Sequence, residues 1–294
     1  MLRQLRGVVA SLRPHQWTKN LLVLAALLFA QKLYDIRALG AALSAFVLFC
    51  LLSGAVYLIN DLVDLQADRL HPIKSLRPLA SGNLSPGLAR GAACVIATVA
   101  VAGSFVLGVS FGVVALFYFS LMVGYSLALK NVVIIDVLIV AFGFVLRAIA
   151  GAFAIDVVFS NWLLICTLLL ALFLALCKRR QELTLLAGDA SEHRRILGEY
   201  SPYLLDQMIA VVTASILVSY ALYTQAPETV ARVGTDKLVY SLPFVLYGIF
   251  RYLYLVHRKE QGGSPAKVLL NDRPILVTVA LWAATVVAFV YHFH

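Results

Sequence analysis

The chain has 294 residues, 62% hydrophobic and only 13% charged, with a mean hydropathy of +0.89; soluble globular domains carry about a quarter charged residues, so the composition excludes one and predicts an all-α polytopic membrane protein. A formal net charge of +9 is spread over separate stretches without interleaved aromatics. It therefore reads as membrane topology plus an anionic ligand, not as a nucleic-acid surface.

The first segment, MLRQLRGVVASLRPHQWTKN, is basic but lacks the apolar core and small-residue cleavage site of a signal peptide, so residues 1–19 are expected to form a cytoplasmic lead-in and interfacial helix. Trp17 and Lys19 fit an interfacial belt. Arg13, Gln16, Lys19 and Asn20 together also offer donors for a phosphate of a lipid or of a soluble substrate.

A span needs about 20 mostly apolar residues, and nine candidates follow: roughly 20–33, 40–60, 90–109, 111–129, 132–154, 160–177, 204–224, 238–256 and 275–292, the first of them short. With nine spans the termini lie on opposite sides. Nineteen of the 24 Lys and Arg residues then share the side of the N-terminus, four fall opposite, and Arg147 is left within a span. The positive-inside rule makes the richer side cytoplasmic.

Between the second and third spans lies NDLVDLQADRLHPIKSLR, Asn60 to Arg77, where acid, base and amide are concentrated. Asp61, Asp64 and Asp68 are three and four residues apart and would project from one helix face. Bare, they would repel one another; hard oxygen ligands at the end of an apolar run make sense if Mg2+ carrying a phosphorylated ligand neutralises them. His71-Pro72 stops the helix. Lys74 and Arg77 follow as cations suited to a pyrophosphate. A solvated helix end with a few ion pairs is the plainer reading of the same residues.

ASGNLSPGLAR then forms a loop into the third span. Tyr125 and Lys130 mark the cytoplasmic border of the fourth, where Lys130 also reads as a snorkelling cation. In the fifth, Arg147 costs at least ~2.5 kcal/mol on insertion scales unless it meets an anion or water, so it should face the interior. Asp136 shares its face but stands about 16 Å away by helix rise, so another partner is required. The sixth span runs into CKRRQELTLLAGDASEHRR, in which Lys178, Arg179 and Arg180 precede Glu182, Asp189 and Glu192. Positive-inside charge explains the cations; with Glu182 they also suggest the opposing wall of a cavity. Tyr252, Tyr254 and His257 look like belt residues, and NDRP, Asn271 to Pro274, starts the last span. Cys50, Cys94, Cys166 and Cys177 lie in apolar runs without metal-ligand spacing and are expected to be small core residues.

The sequence has no GxxxxGK[ST] loop, no GxGxxG after a strand, no HExxH and no nucleophile elbow. What remains is metal-assisted group transfer at the membrane surface, with a cation holding a diphosphate leaving group.

NDLVDLQAD resembles the first Asp-rich motif, NDxxDxxxD, of the UbiA superfamily of intramembrane prenyltransferases. Taken with RPHQWTKN, HPIKSLRPLASG, LRAIAG and KRRQEL, the set from Arg13 to about Leu183 is similar to one branch of that superfamily, the decaprenyl-phosphate phosphoribosyltransferases. The resemblance implies a single domain, residues 1–294, of about nine transmembrane helices around a central cytoplasm-facing cavity, in a bacterial cell membrane. It implies Mg2+ as cofactor, 5-phosphoribosyl diphosphate as donor and a polyprenyl phosphate as acceptor. Asp61, Asp64 and Asp68 would hold Mg2+ on the diphosphate with Asn60 orienting, while Lys74, Arg77 and Lys178 neutralise phosphate oxygens. Lys19, Tyr125, Lys130 and Arg147 would grip the acceptor phosphate or the donor's other phosphate. The family's second acidic motif is represented only by Glu182. Oligomeric state is left open, a homo-oligomer included. Two other functions fit the same outline: a prenyltransferase using prenyl diphosphate and an aromatic acceptor, and a transporter, although no inverted repeat relates the halves.

Overall fold

The computed structural model describes residues 2–158, 160–185, 195–259, 268 and 271–291. Among the described residues the regular elements are helices, with no strand. They are α1 (Leu2–Ser11), a 3-10 segment (Pro14–Leu24), α2 (Ala25–Phe29), α3 (Ile36–Val63), α4 (Leu65–Leu70), α5 (Pro86–Leu107), α6 (Val109–Leu127), α7 (Ile135–Ala154), α8 (Asn161–Leu185), α9 (Pro202–Gln225), α10 (Pro227–Val233), α11 (Leu242–Arg258) and α12 (Arg273–Tyr291). The boundaries follow local chemistry. Asp35 accepts from the amides of Arg37 and Ala38. Ser85 and Ser201 cap helices that open on Pro86 and Pro202, where a missing N–H costs nothing. Asp272 accepts from the Ile275 amide at 3.0 Å.

Eight helical stretches among the described residues are long and apolar enough to cross a membrane, and they match the expected spans from 40–60 onward. In two of them, α3 and α7, more than half of the apolar window is buried (56% and 61%), against 33% or less in the rest; these two are interior helices.

The expected first span, 20–33, is corrected in kind. It is not one regular α-helix but the 3-10 segment followed by the five-residue α2. Arg13 pairs with Asp61 near the end of α3, Asn20 bonds Ser53 midway, and Asp35 caps the start of α3. Residues 13–35 thus run antiparallel along the helix. From Asp61 back to Ile36 is about 38 Å at 1.5 Å per residue, while 22 steps of α-helix supply only about 33 Å. The 3-10 rise of ~2.0 Å makes up the difference.

The chain divides into two compact units. The first holds residues up to Leu27, Leu33–Ile139 and Leu146–Val158. Its hub is α3, against which α5, α6, α1 and the 3-10 segment pack. Phe49 stacks on Phe111 and Tyr118 with centroids 5.8 and 5.1 Å apart. A second cluster, Leu58, Leu79, Leu84, Ala89 and Ala93, takes in Val8 from α1 and Leu12 just after it. The other unit holds Leu28–Lys32, Val140–Val145 and the described residues from Ser160 onward. There α8 packs on α9 and α11 on α12. Tyr252, expected at the interface, is buried against Phe173. His257 instead meets Asp206, which Arg180 holds through two bonds. Cys50 and Cys177 are buried as expected, but Cys94 is exposed.

Candidate active site

The apolar run of α3 ends at Asn60, and the chain turns polar while still helical, which carries Asp61 inward to 3% exposure. At Asp64 the helix breaks, with ψ at 6°, before α4 resumes and buries Asp68. His71 then does more than end a helix. Its Nδ1 accepts from the amides of Ile73 and Lys74 at 3.1 and 3.3 Å, folding the chain into a 3-10 turn, Lys74–Leu76, that returns Arg77 to the acids. Arg77 Nη1 lies 3.1 Å from Asp61 Oδ1 and 2.5 Å from Asp68 Oδ2. Arg13 Nη2 lies 2.5 Å from the same Asp61 oxygen, its guanidinium carbon 4.7 Å over the Tyr57 ring. Asp64 accepts from Lys130 through Oδ1 and from Asn60 through Oδ2, the latter at 3.1 Å.

Two expectations change here. The three carboxylates do not converge on one point: Asp61 and Asp68 meet at Arg77, whereas the break at Asp64 turns its carboxylate to Lys130. Among the described residues no three His, Cys, Asp or Glu side chains come together as metal ligands. Nor are the acids bare, because three internal cations balance three carboxylates. Removing one partner of such a buried pair costs about 3–5 kcal/mol, so the net is structural as well as available for chemistry. Asp61 and Asp68 still fit a divalent cation as a pair, since hard oxygens from both already share one positively charged nitrogen.

Arg147 is interior, at 5% exposure. It donates through Nε to Asn20 Oδ1 and through Nη2 to the Tyr118 hydroxyl, both at 2.7 Å, and lies 4.8 Å from the Tyr118 ring centroid. Asn20 in turn donates to Ser53 Oγ at 3.1 Å. Sequence reasoning missed these partners and the Arg13–Asp61 pair; the one local signal was Arg13 standing before Pro14, a position disfavoured for right-handed helix, and its backbone is left-handed at φ 52°. Lys19, Lys74 and Tyr125 are part-buried in the same unit. Lys178 and Glu182 belong to the other unit, where Glu182 accepts from Arg179 at 2.5 Å and faces Lys178 at 3.6 Å; this acid answers the cations of its own helix. Asp189 and Glu192 lie outside the described residues.

Residues 20–271 match the UbiA prenyltransferase family. A decaprenyl-phosphate phosphoribosyltransferase of Corynebacterium glutamicum is 34% identical over 290 residues, covering 97% of this chain and 87% of that protein. Its counterpart in Mycolicibacterium smegmatis is 33% identical over 294 residues, covering 97% and 92%. Among solved structures, a UbiA homologue from Archaeoglobus fulgidus bound to GPP and Mg2+ aligns with a TM-score of 0.75 at 18% identity, over 97% of this chain and 99% of that one, a likeness of fold. With the family match spanning most of the sequence and acids, amide and bases gathered where its Asp-rich stretch meets the helix end, the chain belongs to the UbiA prenyltransferase family.

Proposed function

We propose that this chain transfers a 5-phosphoribosyl group from 5-phosphoribosyl diphosphate to decaprenyl phosphate or a similar polyprenyl phosphate, releasing diphosphate. The observation that carries the reading is the near full-length identity of 33–34% to decaprenyl-phosphate phosphoribosyltransferases. The site supports it through its chemistry. Asp61 and Asp68 would hold Mg2+, which when bound offsets the charge of the diphosphate leaving group. Asp64 holds Lys130, and Asn60 holds Asp64, so a cation is aimed from a fixed position. Arg13, Arg77 and Lys130 supply donors for phosphate oxygens, guanidinium being suited to two-point phosphate contact. Lys19, Lys74, Tyr125 and Lys178 are further candidates for phosphate contact. The acceptor phosphate is already an anion, so the residues need supply no strong base; they position the partners and stabilise charge. Arg147 is assigned to the wall of the site through Asn20 and Tyr118. The whole chain is read as one functional domain in a bacterial cell membrane, with the N-terminus and Asp61 on the cytoplasmic side.

The test uses purified protein in lipid nanodiscs with each radiolabelled donor. Label from phosphoribosyl diphosphate is expected in an acid-labile lipid fraction, and Asp61→Asn should lower its transfer at least 100-fold while the protein stays folded in the membrane. Label entering an aromatic acceptor from a prenyl diphosphate instead would establish the prenyltransferase reading and overturn this one.

A further inference from the structure

A cation held by Asp61 and Asp68 has a resident to displace. Arg77 Nη1 stands at the point the two carboxylates share, 3.1 and 2.5 Å from their oxygens, and Arg13 takes the same oxygen of Asp61 at 2.5 Å. The acids are buried, their side chains 3–4% exposed, whereas those of Arg13 and Arg77 are 20% and 25% exposed. The guanidinium groups therefore cover the carboxylates from the accessible side.

We infer that Arg77, together with Arg13, guards the cation position, so that a divalent cation enters tightly only with a diphosphate that draws both guanidinium groups off the carboxylates. This rests on the proposed function and concerns the order in which that site is filled. A divalent cation arriving alone must push two like charges off buried acids and leave them without anions. A diphosphate arriving alone takes the guanidinium groups but strands two buried carboxylates, a costly state. Arriving together, the two ligands give every member of the broken pairs a new partner. The coupling is reciprocal by thermodynamic necessity: whatever factor the anion adds to cation affinity, the cation adds to anion affinity.

Manganese(II) is the probe, retained by the full-length protein in nanodiscs at equilibrium dialysis and read by electron paramagnetic resonance. Free Mn2+ is matched with and without inorganic diphosphate. In the unmodified protein, diphosphate should tighten Mn2+ about tenfold or more. Asp61→Asn should abolish the diphosphate-linked binding. Arg77→Gln should let Mn2+ bind without diphosphate nearly as tightly as the unmodified protein does with it. Equal Mn2+ affinity with and without diphosphate overturns the inference, and this arm decides alone if Arg77→Gln does not fold. A protein that transfers phosphoribosyl label yet retains no Mn2+ under either condition overturns the cation assignment itself, and the guarding role with it.

Discussion

Arg13 occupies left-handed backbone, φ 52° and ψ 63°, which costs an L-residue about 1–2 kcal/mol. The conformation persists because it lays the guanidinium over Tyr57 and onto Asp61. Two substitutions separate strain from charge: Arg13→Ala keeps the strain and loses the pair, while Arg13→Gly loses both. Both should melt below the parent, and Arg13→Ala should melt below Arg13→Gly by about 1 kcal/mol in thermal unfolding of the detergent-solubilised protein. The reverse order would mean that the backbone there is relaxed. At this scale the candidate residues were legible because charge is scarce. In a chain with 13% charged residues, Asp61, Asp64, Asp68, Arg77 and Arg147 stand out by the cost of placing them beside lipid. Their partners were not legible. Arg13 and Asp61 are 48 positions apart, Lys130 and Asp64 66, Arg147 and Asn20 127, and helical periodicity holds no information over such separations. Beside their neighbours in sequence the three carboxylates look bare, because the cations that meet them, Arg13, Arg77 and Lys130, arrive from other elements.

The helices of the fold were largely written in hydropathy and in the cap residues, with one exception along residues 14–29. An apolar run of that length predicts an α-helix, yet the run has to cover the length of α3 with too few residues, a constraint set by its companion and invisible locally. Its route presses the Val23 carbonyl against Gly151 of α7, where a Cβ would stand 2.0 Å from the oxygen. Gly151→Ala should therefore force the backbone apart and cost about 3 kcal/mol, seen as a lowered melting temperature and poor recovery of folded protein; the same change at Gly91, with nothing within 4 Å, should be neutral or mildly stabilising. In the other unit, Arg251 joins α11 to the entry of α12 by bonds of 3.3 and 2.9 Å to Asp272. Those bonds, the amide of Ile275 and the Arg251 charge together hold the Asp272 carboxyl below its ordinary range. A depressed carboxylate contributes its stability above the unfolded value, about pH 3.9, and loses it as pH falls through the folded one. Asp272→Asn should accordingly melt lower than the parent at pH 7, with the gap narrowing as pH falls below the ordinary carboxylate value and through the lower folded one.

For the molecule as a whole, the 3-10 segment bears on topology. Eight regular spans alone would return both termini to one side, whereas a ninth crossing along residues 20–33, the short apolar run expected from hydropathy, would put them on opposite sides. The predicted outcome is that a reporter inserted at Gly82 reads cytoplasmic and one fused after His294 reads external; the same reading from both would refute the assignment. One further consequence belongs to synthesis. The N-terminal helix is fastened to a later loop: Arg3 donates to Asn83, Gln4 accepts from the Ser85 amide at 2.9 Å, and Gly7 sits against Leu84. Residues 2–11 leave the ribosome some 70 residues before those partners. Until Asn83 and Ser85 emerge, α1 has only the face of α3 to pack on, and its docking against the 78–85 loop is the later step that completes this corner of the first unit.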